Sequence, residues 1–132
     1  MAAQNKENIL DSVPILVLRK RAEFLRLRKG RRYSGKHFLV QGAKQVNPGS
    51  HAGVGFTVTT KIGNAVIRNR IKRRLREVVK AVFPNLAKPG FDYVLIARRA
   101  ALRSDIKIIQ AELSSALDHI HSIGAKGSKQ SA

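Results

Sequence analysis

Residues Lys61 to Phe83 read KIGNAVIRNRIKRRLREVVKAVF, with Arg68, Arg70, Lys72, Arg73, Arg74, Arg76 and Lys80 set against one acid, Glu77. At 100° per residue, Ile67, Ile71, Leu75, Val78 and Val82 fall within about 80° of one another. Arg68, Asn69, Lys72, Arg73, Arg76 and Lys80 fan across the opposite side. The stretch is an amphipathic helix with an apolar stripe and a cationic outer face. Like charges at i,i+4, as in Arg68/Lys72/Arg76/Lys80, cost a helix roughly 0.2–0.5 kcal/mol per pair. A solvated face built for stability would alternate sign. This one implies an absent polyanion, its phosphates met by cations at fixed spacing.

The rest of the chain fits that reading. Its 132 residues make one domain. Hydrophobic content of 43% supports a modest core, and 5% aromatic content makes it mostly aliphatic. The 26 basic residues against 8 acidic ones give a net charge of +18. RNA, DNA or an anionic membrane would meet such a charge. No run has the eighteen or so apolar residues a spanning helix needs, so no membrane role is expected. Pro14, Glu7 and Asp11 break any signal-peptide pattern in the first twenty residues. The absence of cysteine excludes disulfides and thiolate metal sites. A cytoplasmic protein is expected.

Around the central helix the chain divides into further elements. Residues 1–17 are expected as a flexible arm, 18–123 as the folded domain and 124–132 as a flexible tail. Leu18, Ala22 and Leu25 open a first helix that Gly30 stops. Arg19 to Lys36 carries a net +8 and the central helix +6, so two elements build most of the positive potential. His37–Val46 and Ala52–Thr60 alternate as strands joined by an Asn47–Ser50 turn that allows them to pair antiparallel. A short extra strand falls around Arg32–Ser34. Gly53, Gly55, Thr57 and Thr59 leave one sheet face small and polar. Pro84 ends the central helix near Phe83, Phe91–Arg98 is the most hydrophobic strand and central, and Ser104 caps a last helix that Gly124 ends. The fold class is α+β, with helices packed on one face of a sheet.

No catalytic set is evident. The histidines His37, His51, His119 and His121 lack metal-ligand spacing, and the acids form no general acid–base pair. Asp92 reads as a structural hydrogen-bond partner. Neither catalytic nor metal-ligating residues are expected in the protein itself.

Lys61-Ile62-Gly63-Asn64-Ala65-Val66-Ile67-Arg68-Asn69-Arg70-Ile71-Lys72-Arg73 resembles the signature of the bacterial ribonuclease P protein family, in which a Lys-x-Gly-x-Ala-Val-x-Arg-Asn-x-x-Lys-Arg run opens a long basic helix. Arg21-Ala22-Glu23-Phe24, the Phe91–Arg98 strand and the final amphipathic helix extend the likeness over about residues 18–122. The resemblance implies an α-β-β(-β)-α-β-α domain like that of a small-subunit ribosomal protein, with a left-handed strand–helix–strand crossover through the basic helix. It implies an accessory subunit for a catalytic RNA that removes the 5′ leader from precursor tRNA. Mg²⁺ would be held chiefly by that RNA, with none bound by the protein alone, and a monomer would sit in a 1:1 ribonucleoprotein. By position, the RNA-facing residues would be Lys61, Asn64, Arg68, Asn69, Arg70, Lys72, Arg73, Arg76 and Lys80. The leader cleft would use Phe24, Leu39, Gln41 and Thr57, with Lys61 at its edge. Gln41, and Leu27 or Arg28, stand where the family often has aromatics, and Thr60 where a second lysine is common. The rival readings are a structural RNA-binding protein of ribosomal type, a DNA-architectural protein and a protein-only nuclease.

Overall fold

The computed structural model describes residues 13–130, with side chains described for 13–122. Five strands form one mixed sheet: β1 (Ile15–Val17), β2 (Arg31–Ser34), β3 (Phe38–Lys44), β4 (Ala52–Thr57) and β5 (Phe91–Ala97), in the order β1-β4-β5-β3-β2. The helices are α1 (Arg21–Leu27), α2 (Ala65–Leu86) and α3 (Ile106–Gln130), with short 3₁₀ turns at Thr60–Ile62 and Arg99–Leu102.

β5 is buried along nearly its whole length and takes the middle of the sheet. This corrects the expected β3–β4 hairpin. β3 pairs antiparallel with β5, and β4 pairs parallel with it, so β5 lies between them. The Asn47–Ser50 turn belongs to a wider loop that arches over the start of β5. The Gln45 N–H donates to Gly90 C=O at 2.7 Å, and the Gly90 N–H donates to His51 C=O at 2.8 Å. Gly90 adopts φ +85°, a conformation glycine takes without strain. A strand apolar on both faces gains most at the centre, which outweighs the local turn.

The long helices α2 and α3 share one face, over Phe38, Val40, Val54, Phe91, Tyr93 and Leu95. The expectation of helices on one face is corrected for the short α1, which lies against the other face, where Leu18 and Leu27 pack with Val94 and partly buried Phe24, Ala43 and Ile96. Ile71, Leu75, Val78 and Val82 of the expected α2 stripe are buried, Ile67 is half-buried, and Val79 and Phe83 widen the stripe. Ile109, Leu113, Ala116, Leu117 and Ile120 do the same on α3.

Several boundaries differ from expectation: α1 begins at Arg21 rather than Leu18, β3 is Phe38–Lys44 rather than His37–Val46, and β4 ends at Thr57 rather than Thr60. Residues 1–12 of the expected arm lie outside the described residues, but Ile15–Val17 form β1, parallel to β4. α2 runs through Pro84 to Leu86. Pro84 has no N–H for the Lys80 carbonyl and its ring crowds that carbonyl, but only two helical residues follow it, and the Ala87 N–H still reaches Phe83 C=O at 2.9 Å. The Asp105 side chain, not Ser104, caps α3, accepting the Lys107 N–H at 2.8 Å. The backbone of α3 continues past Gly124 to Gln130, since one glycine costs a helix only about 1 kcal/mol.

Candidate nucleic-acid interface

The Asn64 side chain starts α2 by accepting the Ile67 N–H at 3.0 Å. From there the buried stripe fixes the direction of each cation. Asn64, Asn69, Arg70, Arg73, Arg76 and Lys80 are exposed, while Arg68 and Lys72 are half-buried. The Arg68 Nε donates to Gly63 C=O at 3.2 Å, folding the guanidinium back over the helix start. Arg74 belongs to the same basic run but points elsewhere. Its Nε donates to Ala101 C=O at 2.9 Å, and its Nη2 donates to Ser104 C=O. Among the described residues the arginine–carboxylate pair is Arg26–Asp92, and Glu112 contacts His37, so no carboxylate pairs with a cation of α2. The outer face of α2 is therefore a cationic strip whose one acid, exposed Glu77, forms no ion pair with it among the described residues.

A second surface lies on the face that carries α1. Strand register puts Leu39, Ile96 and Thr57 in one row across three strands, and Gln41, Val94 and Gly55 in the next. Phe24 reaches from α1 to Gly55, whose missing side chain leaves room for the ring. Leu39, Thr57 and Phe24 are half-buried, whereas Gln41, at 4% exposure, is covered. The structure thus brings the four expected cleft residues together. Exposed Lys61 lies in the 3₁₀ turn between β4 and α2. The cationic strip and the cleft sit on opposite layers of the sheet, joined through this turn.

Several arginines that sequence patterning left unassigned shape these surfaces. The Arg98 Nη2 donates to Ser34 Oγ at 2.9 Å, across the end of the Leu39–Thr57 row. Its place on the same face as Asp92, Val94 and Ile96 follows from strand alternation. The Arg99 Nη1 donates to Ile62 C=O and ties the second 3₁₀ turn to the start of α2. The Arg31 Nη1 donates to Ile120 C=O at 3.1 Å, with its guanidinium over the Phe91 ring. These contacts depend on tertiary neighbours that no local pattern specifies.

Asp92, Glu112, His37 and His121 are engaged in structure. Asp92, 5% exposed, accepts from Arg26 Nη2 at 2.6 Å and from Gln45 Nε2 at 3.1 Å, the structural role expected of it. Buried His37 faces Glu112 through Nδ1, and its backbone N–H donates to the same carboxylate at 3.2 Å. The Tyr93 hydroxyl accepts the Lys88 N–H at 3.0 Å and lies 2.7 Å from His121 Nε2. Burial pushes the Tyr93 phenol up to about 12. Burial, helped by nearby Lys88, lowers His121 to about 4. The hydrogen bond is therefore shared between a neutral phenol and a neutral imidazole. Among the described residues, no group of three or more His, Cys, Asp or Glu side chains could hold a metal ion.

Comparison with known proteins identifies the family. The sequence pattern of the family described as Ribonuclease P matches residues 15–121. The ribonuclease P protein component of Brucella suis is 43% identical over 124 residues, covering 89% of this chain and 84% of its own. That of Ruegeria pomeroyi is 47% identical over 93 residues, covering 69% and 74%. The solved structure of the Thermotoga maritima RNase P protein superposes with a TM-score of 0.63 at 28% identity, over 78% of this chain and 93% of that one. With the basic signature on α2 and the mixed sheet in place, the chain belongs to the ribonuclease P protein family.

Proposed function

We propose that this chain is the RNA-binding protein subunit of ribonuclease P, a component of an endoribonuclease complex that works on precursor tRNA. The observation that carries the reading is the face of α2. Exposed Arg70, Arg73, Arg76 and Lys80 stand on a helix held rigid by its buried stripe, with no ion pair among the described residues to neutralise them. Asn64, Arg68, Asn69, Arg70, Lys72, Arg73, Arg76 and Lys80 would meet the RNA subunit. The surface of Phe24, Leu39 and Thr57 would hold the single-stranded 5′ leader, with buried Gln41 beneath it and Lys61 between the two. Hydrolysis would rest with the catalytic RNA and the Mg²⁺ it binds, with Asp92, Glu112, His37 and His121 of this chain held in structural contacts. One protein would serve one RNA.

In this mechanism the protein acts through charge and position. Cations of α2 replace condensed counterions on RNA phosphates. Substrate and metal ions then settle at lower ionic cost. The test is reconstitution with an in vitro transcribed ribonuclease P RNA at low Mg²⁺. Restored cleavage at the mature 5′ end is the expected result. RNA binding without restored cleavage would instead mark a structural RNA-binding protein.

A further inference from the structure

A groove of about 620 Å³ opens between the edge strand β1 and α2. Its walls are apolar, with Ile15 and Val17 on one side, Val79 on the other and Phe56 among them. Its rim is cationic, because Arg76 and Lys80 of the exposed α2 face line it as well. β1 adds polar groups at the same place. Ala52 N–H donates to Pro14 C=O at 2.9 Å, and Leu18 N–H donates to Val54 C=O at 2.8 Å. In a parallel ladder this alternation turns the N–H and C=O of Ile15 and Val17 toward the outer edge of the sheet. The two residues whose side chains wall the groove thus present donors and acceptors at its margin.

We propose that this groove receives one unstacked nucleobase of the bound RNA. The inference rests on the RNA-binding reading above and adds a base-specific site to a surface otherwise suited to phosphates. Phe56 and the aliphatic walls offer a base an apolar slot. Arg76 and Lys80 take the phosphates on either side of that nucleotide. The outward backbone groups of Ile15 and Val17 meet its hydrogen-bonding edge. Charge decides the occupant: an apolar peptide segment would leave the cationic rim unanswered, whereas a nucleotide combines a flat ring with flanking anions. The groove is also continuous with the cationic strip of α2, so the RNA backbone passes its mouth.

The experiment compares octaadenylate with an abasic octamer of equal charge, using full-length protein carrying ¹³C-labelled isoleucine and valine methyls. Both oligomers should bind, and only octaadenylate should move the Ile15, Val17, Val54 and Val79 methyls by ring-current shifts. Val17 is half-exposed, so Val17→Gln should fold; it should weaken octaadenylate about tenfold, within the range of base stacking, and leave the abasic octamer unchanged. If both oligomers bind and the groove methyls respond alike, the nucleobase site is overturned while the RNA-binding reading stands. If neither binds, the RNA-binding reading fails and the site with it. Groove methyls that move on simple dilution, or on removal of residues 1–12, would assign the groove to a second copy or to the chain's own N-terminus and overturn the proposal.

Discussion

The Phe24 ring rests on Gly55 so closely that a Cβ at position 55 would stand 2.6 Å from the ring's ζ carbon. The absent side chain at one position therefore sets the position of the aromatic at the other. Gly55→Ala should push Phe24 off the sheet and disturb the surface it shares with Leu39 and Thr57. Base stacking is worth roughly 1–3 kcal/mol. Affinity for precursor tRNA with a leader should fall about tenfold, and affinity for leaderless tRNA should stay within a factor of two or so. Equal losses for both substrates would place the leader elsewhere.

Arg73 and Arg68 should separate charge from capping. Arg73 is exposed, so Arg73→Ala should lower the slope of log affinity against log salt by about 0.7–0.9 for each phosphate the arginine neutralises, with little change in stability. Arg68 also donates to Gly63 C=O. Arg68→Ala should lower the slope and loosen the start of α2, a combined effect that binding isotherms and urea melts would resolve. An unchanged slope in both variants would remove α2 from the RNA-binding surface.

Arg74 should behave in the opposite way despite its basic neighbours. It donates to two carbonyls of the segment between β5 and α3. Arg74→Ala should destabilise the fold by about 1–3 kcal/mol, the usual cost of removing hydrogen bonds from a charged donor. The salt dependence of RNA binding should not change. A flattened slope at full stability would reverse this assignment.

His121 makes the fold acid-sensitive. Its pKa is lowered to about 4 from the ordinary 6.5, mainly by burial. The unfolded chain therefore takes up a proton below pH 6.5 that the folded chain refuses until near pH 4. Stability from this group is present above pH 6.5 and is lost as pH falls toward 4. The ring is partly exposed, and solvent screening brings the effect to roughly 1 kcal/mol. Urea midpoints between pH 7.5 and 4.5 should fall further for the native chain than for His121→Gln. Parallel losses would show that the imidazole takes no part.

Periodic elements were legible from the sequence, because side-chain spacing reports directly on which face is buried. The α2 stripe at Ile71, Leu75, Val78 and Val82 and the central place of Phe91–Ala97 both follow from local pattern. Strand pairing was not. The Asn47–Ser50 turn permits a hairpin, yet whether β3 meets β4 or β5 depends on which strand buries both faces, a comparison across the whole chain. β1 escaped notice because three residues are too few to show a period. Of the candidate surfaces, Phe24, Leu39, Gln41 and Thr57 were named from the family resemblance, and strand register sets them on one face of the sheet. Arg74 could not be told from Arg73 by composition; only the carbonyls it reaches distinguish it.

The central place of β5 has a consequence for synthesis. The last strand to leave the ribosome is the one that joins β4 to β3. Until Ala97 emerges, β1–β4 and β2–β3 are separate pairs with no shared partner, and α2 has no sheet to lie on. Contacts between segments so far apart in sequence form late and slowly. The nascent chain thus carries a strongly cationic, half-apolar helix before its support exists. Its folding becomes cooperative only when β5 inserts, so a chain truncated before Phe91 should remain unfolded rather than form a partial domain.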